Sequence, residues 1–272
     1  MKLLVLLLLF ARVLIAGDTP LPGKNPIVRP DWASSAGVDK FGAWADFIML
    51  GVTQRFRRID PGTFIMGSPE NEEGRQPGEV QHQVTITAAY WMADSSCSQE
   101  FWMAVMGSNP SHFMGNLDRP VENVSWHDCQ KFLSRLSEHT KNSSGRLPTE
   151  AEWEYACRAN SLGPINCRTL LEGAWYGSNS DFVTHPGKLK APNSWGLYDM
   201  HGNVWNWCSD WETKKYEPNA VTNPTGPMKG MFRVVRGGSY QTDIPNVRSA
   251  YRQGWDPKLR LEYLGLRICI SP

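Results

Sequence analysis

The chain carries no Gly-rich phosphate loop, no Gly-x-Ser-x-Gly elbow and no His-Glu-x-x-His helix. Nucleotide-phosphate, α/β-hydrolase and zincin chemistry therefore have no motif to stand on. No Cys-x-x-Cys spacing occurs, so the usual structural zinc site has no carrier. Neither sign of charge is in excess: 28 Lys and Arg against 27 Asp and Glu leave +1. That balance offers nucleic acid or an anionic membrane surface no footprint, and neither is expected as a partner. Internal repeats, low-complexity tracts and charge blocks are also missing. The apolar run Leu3 to Phe10 is too short to span a bilayer, and no stable membrane insertion is expected.

Tryptophan and glycine are abundant instead, with 12 and 24 among 272 residues. A Trp buries a large surface but needs a partner for its indole N–H. Many of both suggest a loop-rich fold stitched together by aromatic anchors. Met1-Lys2, the short apolar run and the small-residue exit at Ala16-Gly17 read as a secretory signal peptide over residues 1–17, which implies a secreted or periplasmic protein. Residues 18–54 read as a Pro- and Gly-rich linker and a lead-in segment that docks on the main domain, which spans 55–272. Of the six cysteines, Cys129 and Cys157 fall on the apolar faces of helices, where a free thiol behaves as a small hydrophobe.

Gly62–Ser68 reads as a strand ending in a turn, and Val84–Thr87 alternates as a half-buried strand should. Three helices have start signals. Ser98 caps one that runs to Met106 and stops at Gly107. Ser125 with Asp128 makes a capping box ahead of the stripe Trp126, Cys129, Phe132, Leu133, Leu136. Thr149 with Glu152 repeats the device, with Trp153, Ala156 and Cys157 on the inner face. Arg233–Arg236 and Gly265–Ile270 read as closing strands. Helices early and irregular β-structure late argue for one α+β domain.

The stretches Arg146-Leu147-Pro148-Thr149-Glu150-Ala151-Glu152-Trp153-Glu154-Tyr155-Ala156, Gly196-Leu197-Tyr198-Asp199-Met200-His201-Gly202-Asn203-Val204-Trp205 and Arg236-Gly237-Gly238-Ser239-Tyr240 resemble the formylglycine-generating enzyme (sulfatase-modifying factor) family. The resemblance runs from about Pro61 to Arg267 and implies a C-type-lectin-like α+β fold with little regular secondary structure. In the oxidases of that family a Cys follows the Ser of Gly-Gly-Ser by three positions, and a second lies five further on. The two thiolates hold the copper that activates oxygen. Here those positions are Thr242 and Val247. Copper(I) needs soft ligands, so neither copper binding nor formylglycine-generating activity is expected, and no catalytic residue is assigned.

The resemblance also places structural Ca²⁺ around a Gly-Asn-x-Trp-Glu-Trp motif. Here the Glu is Asn206, and Asn203 and Asn206 are the candidate calcium residues. Related sulfoxide synthases use a three-histidine iron site, so an oxidoreductase with non-haem iron is the alternative. None of the six His stands at a recognisable ligand spacing. Other relatives display variable side chains on this fold, and the segment from Ser239 to Ile268 resembles theirs. The reading adopted is a domain that binds a peptide, protein or other ligand through Trp207, Ser239, Tyr240, Thr242, Asp243, Tyr251 and Trp255. A docking subunit with an aromatic face is a third possibility.

Overall fold

A computed structural model describes residues 28–140 and 143–271. The expected signal peptide and residues 18–27 of the linker lie outside them. Six strands come first: β1 Ser35–Asp39, β2 Gly42–Met49, β3 Val52–Ile59, β4 Gly62–Met66, β5 His82–Ile86 and β6 Tyr90–Ala93. Helices α1 Gln99–Met106, α2 Trp126–Ser137 and α3 Glu150–Arg158 follow, with the short β7 Gly145–Arg146 ahead of α3. The rest is loop punctuated by α4 Leu170–Gly173, β8 Ala174–Trp175, β9 His201–Gly202, β10 Trp205–Trp211, β11 Val221–Thr222, β12 Arg233–Arg236, β13 Arg252–Trp255, β14 Leu264–Leu266 and β15 Cys269–Ile270. Among the described residues no helix is long and apolar enough to cross a membrane.

Strands β1-β2-β3-β6-β15-β7 form one sheet, and β13-β12-β10-β14 a second. Smaller sheets join β11-β5-β4 and β8-β9. The expected order of helices before strands is reversed at the N-terminal end. The lead-in segment forms β1 and β2, which extend the main sheet antiparallel to β3, and its boundary at residue 54 falls inside β3. Leu50 and Gly51, both at positive φ, make the two-residue turn between Met49 and Val52 that this pairing needs.

The helix starts follow their caps. Ser98 Oγ accepts the Phe101 N–H, and Gly107 ends α1 at φ 77°. Both capping boxes close reciprocally, Ser125 with Asp128 and Thr149 with Glu152. Helix α2 buries Cys129, Phe132, Leu133 and Leu136, and Phe132 stacks on Trp102 of α1 with ring centroids 4.8 Å apart. Helix α3 has almost no outer face: Glu150, Glu154 and Arg158 are buried along with Trp153, Ala156 and Cys157. Its acids are paired instead of solvated. Glu150 accepts Arg252 Nε and Nη2 at 2.6 and 2.9 Å, and Glu154 accepts Arg236 of β12 and Arg158. These ion pairs fix α3 against the second sheet and so place the Gly237-Gly238 turn that leaves β12.

Candidate functional site

Gly237 and Gly238 sit at φ 99° and 77°, where a side chain would be strained. A Cβ on Gly238 would lie 2.7 Å from Val247 Cγ1 and 3.4 Å from Thr242 Cγ2. The chain thus folds back so that residues 242 and 247 both lie against Gly238. The two positions where the resemblance demands thiolates are brought together, as a metal pair would have to be. Thr242 Oγ1 accepts the Ser239 N–H at 2.9 Å and lies 3.1 Å from Ser239 Oγ. Val247 is fully buried against Ala174 and Tyr176. A hydroxyl engaged in its own turn and an isopropyl group give copper(I) nothing soft to bind.

None of the cysteines replaces them. Burial pushes all six thiols up, Cys157 to about 12 and Cys97, Cys129, Cys167, Cys208 and Cys269 in the same direction. Thiolate, the nucleophile and metal ligand, is therefore disfavoured throughout. Cys157 Sγ lies 3.8 Å from His201 Nε2 and 3.6 Å from Ser249 Oγ in a closed polar knot. His201 Nδ1 donates to the Val247 carbonyl at 2.8 Å, and Nε2 accepts the Asn166 N–H at 3.2 Å. Burial pushes this imidazole down to about 4, so it is neutral and ties β9 to the Val247 turn. Both ring nitrogens of His201 are thus hydrogen-bonded within the protein.

The expected ligand-binding residues do not form one surface. Trp207 and Ser239 are fully buried; the Trp207 indole N–H is committed to the Val124 carbonyl at 3.0 Å. Trp207, on β10, packs in the main core cluster, and Ser239 bonds within its own turn. Tyr240 and Tyr251 are nearly buried, with Tyr240 edge-to-face on Phe113 at 5.3 Å. Thr242 and Trp255 are half-buried, and Asp243 alone is exposed. Tyr251 and Trp255 belong to a separate aromatic group on β13. Gln253 accepts the Trp255 indole N–H at 2.9 Å and donates to the Tyr251 hydroxyl at 2.6 Å, and Trp255 packs on Trp205 and Tyr263.

Asn203 and Asn206, the candidate calcium residues, are both buried and hydrogen-bonded. Asn203 Oδ1 accepts the His185 N–H at 3.0 Å and its amide donates to the His185 carbonyl. Asn206 Oδ1 accepts the Trp153 indole at 3.2 Å and Arg267 Nε at 3.4 Å. Asn206 Oδ1 has both acceptor sites taken, and Asn203 Oδ1 already holds one donor. The orphaned oxygen nearby is Asp199 Oδ1, buried without a partner, while Oδ2 accepts the Lys188 N–H at 3.0 Å. Burial pushes this carboxyl up. Among the described residues no three or more His, Cys, Asp or Glu converge, so the iron alternative has no ligand set there.

A second orphan lies beside Tyr240. Glu122 is fully buried; its Oε1 accepts the Phe113 N–H at 2.9 Å and its Oε2 has no partner. Burial pushes it up to about 7, against the backbone N–H groups of Phe113 and His112. Glu122 escaped sequence reasoning. The available signal was an acid between Val121 and Val124, in an apolar approach to the α2 cap.

A profile of the sulfatase-modifying factor enzyme 1-like domain matches residues 52–272. The chain is 34% identical over 211 residues to the formylglycine-generating enzyme of Bos taurus, covering 68% of this chain and 52% of that protein. It thus spans about half the length of the curated relatives it matches. Treponema denticola variable protein 1 superposes with a TM-score of 0.78 at 29% identity, over 84% of this chain and 99% of that one. PvdO from Pseudomonas aeruginosa shares the fold, with a TM-score of 0.73 at 23% identity over 92% of this chain and 100% of that one. With its α+β fold, its Gly-Gly-Ser turn and its two converging non-thiol positions, the chain belongs to the sulfatase-modifying factor enzyme 1-like domain family.

Proposed function

We propose that this chain is a non-catalytic member of the family that binds a peptide, protein or other ligand beside the groove where the oxidases hold copper. The observation that carries the reading is the pair Thr242 and Val247, which both lie against Gly238 and carry no sulfur. The scaffold that would present two ligands is intact and the ligands are not. Asp243 on the exposed rim of this turn, with Thr242 half-buried behind it, offers polar groups to a docked chain. The N-terminal segment 1–17 supports export, so the ligand is sought outside the cytoplasm.

Copper(I) titration against a competing chelator tests the reading. The wild type should take up no stoichiometric copper. The double variant Thr242→Cys/Val247→Cys should gain a site, because both side chains lie against Gly238. Tight binding by the wild type overturns the proposal, and a double variant that folds but binds nothing overturns the geometry assigned to the turn.

A further inference from the structure

We propose that the Arg233 guanidinium, held between Trp126 and Trp211, binds a carboxylate of a peptide or of a small acid at its free edge. Arg233 opens β12, and the Gly237-Gly238 turn leaves the other end of that strand, so this is a second binding position, separate from the turn.

The second sheet places the arginine. In its ladder Arg233 stands opposite Trp211 of β10 and opposite Trp255 of β13, whose indole N–H is already given to Gln253. The guanidinium carbon lies 3.6 Å from the centroid of the Trp211 ring and 4.0 Å from that of Trp126, the first residue of α2. Nη1 donates to the Ser209 carbonyl. Two rings and one carbonyl fix the group in place without neutralising its charge. The side chain has thus lost its rotamer freedom before any ligand arrives.

What the group lacks is an acid. Arg55, Arg252 and Arg260 each turn Nε and Nη2 to a carboxylate, at 2.6–2.9 Å. Among the described residues no acid pairs with Arg233. Its Nε is buried without a partner, and its Nη2, also without a hydrogen bond there, reaches the surface of a half-buried side chain. Burial pushes the pKa down from its ordinary value, with Asp210 opposing. Asp210 does not serve as the partner: it is buried, and its Oδ2 takes the Glu150 N–H and the Ser209 hydroxyl. Asp128 of α2 is held by Arg260 and Ser125, and Asp256 accepts the Lys258 N–H in its own turn. A carboxylate brought to Nη2 supplies the missing charge at the guanidinium edge, clear of the negative faces of the two rings. One arginine suits one negative charge. A phosphate dianion would exceed it and would meet the exposed Asp256, whose turn reaches α2 through the Trp126 N–H on the Pro257 carbonyl.

The carboxylate could belong to a free acid or to a peptide side chain, and the test separates them. Binding of acetyl-Ala-Glu-Ala amide, its neutral isostere acetyl-Ala-Gln-Ala amide, propanoate and inorganic phosphate is measured by calorimetry and by NMR of the tryptophan indole protons. The Trp126 signal is assigned from Trp126→Phe. Saturable binding of the Glu peptide is expected, with the Gln peptide weaker by about tenfold, the loss of one charge-assisted hydrogen bond. Propanoate bound as well as the Glu peptide identifies a free acid, and preference for the peptide identifies a peptide. Arg233→Gln keeps a planar group between the rings and should weaken binding by a similar factor. The proposal is overturned if no carboxylate binds, if the Gln peptide binds as well as the Glu peptide, or if phosphate binds more tightly than either carboxylate. An Arg233→Gln protein with native circular dichroism and undiminished affinity overturns it too. Should that variant not fold, the wild-type spectra decide: the Trp126 indole signal should move with the Glu peptide, and binding that leaves it unmoved places the carboxylate elsewhere. Failure here removes this site alone, since the non-catalytic reading stands or falls on copper uptake.

Discussion

Glu150 and Glu122 are both buried glutamates, and the protein treats them in opposite ways. Burial acts to raise both. At Glu150 the guanidinium groups of Arg252 and Arg236 overcome it and the carboxyl ends below its ordinary value. At Glu122 only backbone N–H groups and the exposed His112 oppose it, and the carboxyl rises to about 7. The α3 network is closed, each acid facing an arginine of the same chain, so it holds the fold. Glu122 has no arginine facing it, and its Oε2 is buried without a partner. At the Gly238 turn Thr242 bonds to Ser239 and Val247 packs on Ala174 and Tyr176.

The largest effect is expected from breaking the closed side. Arg236→Met leaves Glu154 without one of its partners in the interior and should cost about 3–5 kcal/mol in urea unfolding. A loss under 1 kcal/mol would mean that the α3 network is not what holds this region.

His201 comes next. Its folded pKa is depressed, so the folded state binds fewer protons than the unfolded chain between about 6.5 and 4. Stability from this residue is present above 6.5 and lost as pH falls through that window, amounting to about 3 kcal/mol by pH 4. Unfolding free energies at pH 7 and pH 4.5 should diverge for the wild type and much less for His201→Gln. Equal divergence in both would assign the acid limb elsewhere.

Glu122→Gln sharpens the comparison by its sign. A raised folded pKa means stability present below about 4.5 and lost as pH rises through about 7. The variant should therefore be more stable than the wild type at pH 8, by about 1–2 kcal/mol once partial solvation is allowed for. At pH 4 the two should be alike. Glu150→Gln should instead be destabilising at pH 8. If both variants shift the same way, the distinction between paired and unpaired acids fails.

The smallest effect is Thr242→Val, which removes the hydroxyl that accepts the Ser239 N–H. About 1 kcal/mol is expected, with the turn otherwise kept by Gly237 and Gly238.

Local rules made part of this legible. Ser98, Ser125 and Thr149 announce their helices because a cap acts within three residues, and all three caps stand in the structure. Strands β1 and β2 were hidden because Asp39 and Asp46 interrupt the apolar pattern. Their partners, Arg57 and Arg55, lie on the neighbouring strand β3. The surface role expected of Trp207 and Ser239 failed for a related reason. Adjacency to a motif says nothing of which way a side chain turns, and both side chains are fully buried. Asn206 showed a missing carboxylate but not the indole of Trp153 or the guanidinium of Arg267 that use its oxygen. Glu122 is the extreme case, since its character lies in what fails to face it.

Oxygen consumption by copper-exposed wild-type protein, with a cysteine-containing peptide as substrate, tests the central claim most directly. No uptake above that of copper and peptide alone is expected, because residues 242 and 247 provide no thiolate. Sustained uptake with loss of the peptide thiol, abolished by heat-unfolding the chain, would show that another set of ligands activates oxygen and that this protein is an enzyme after all.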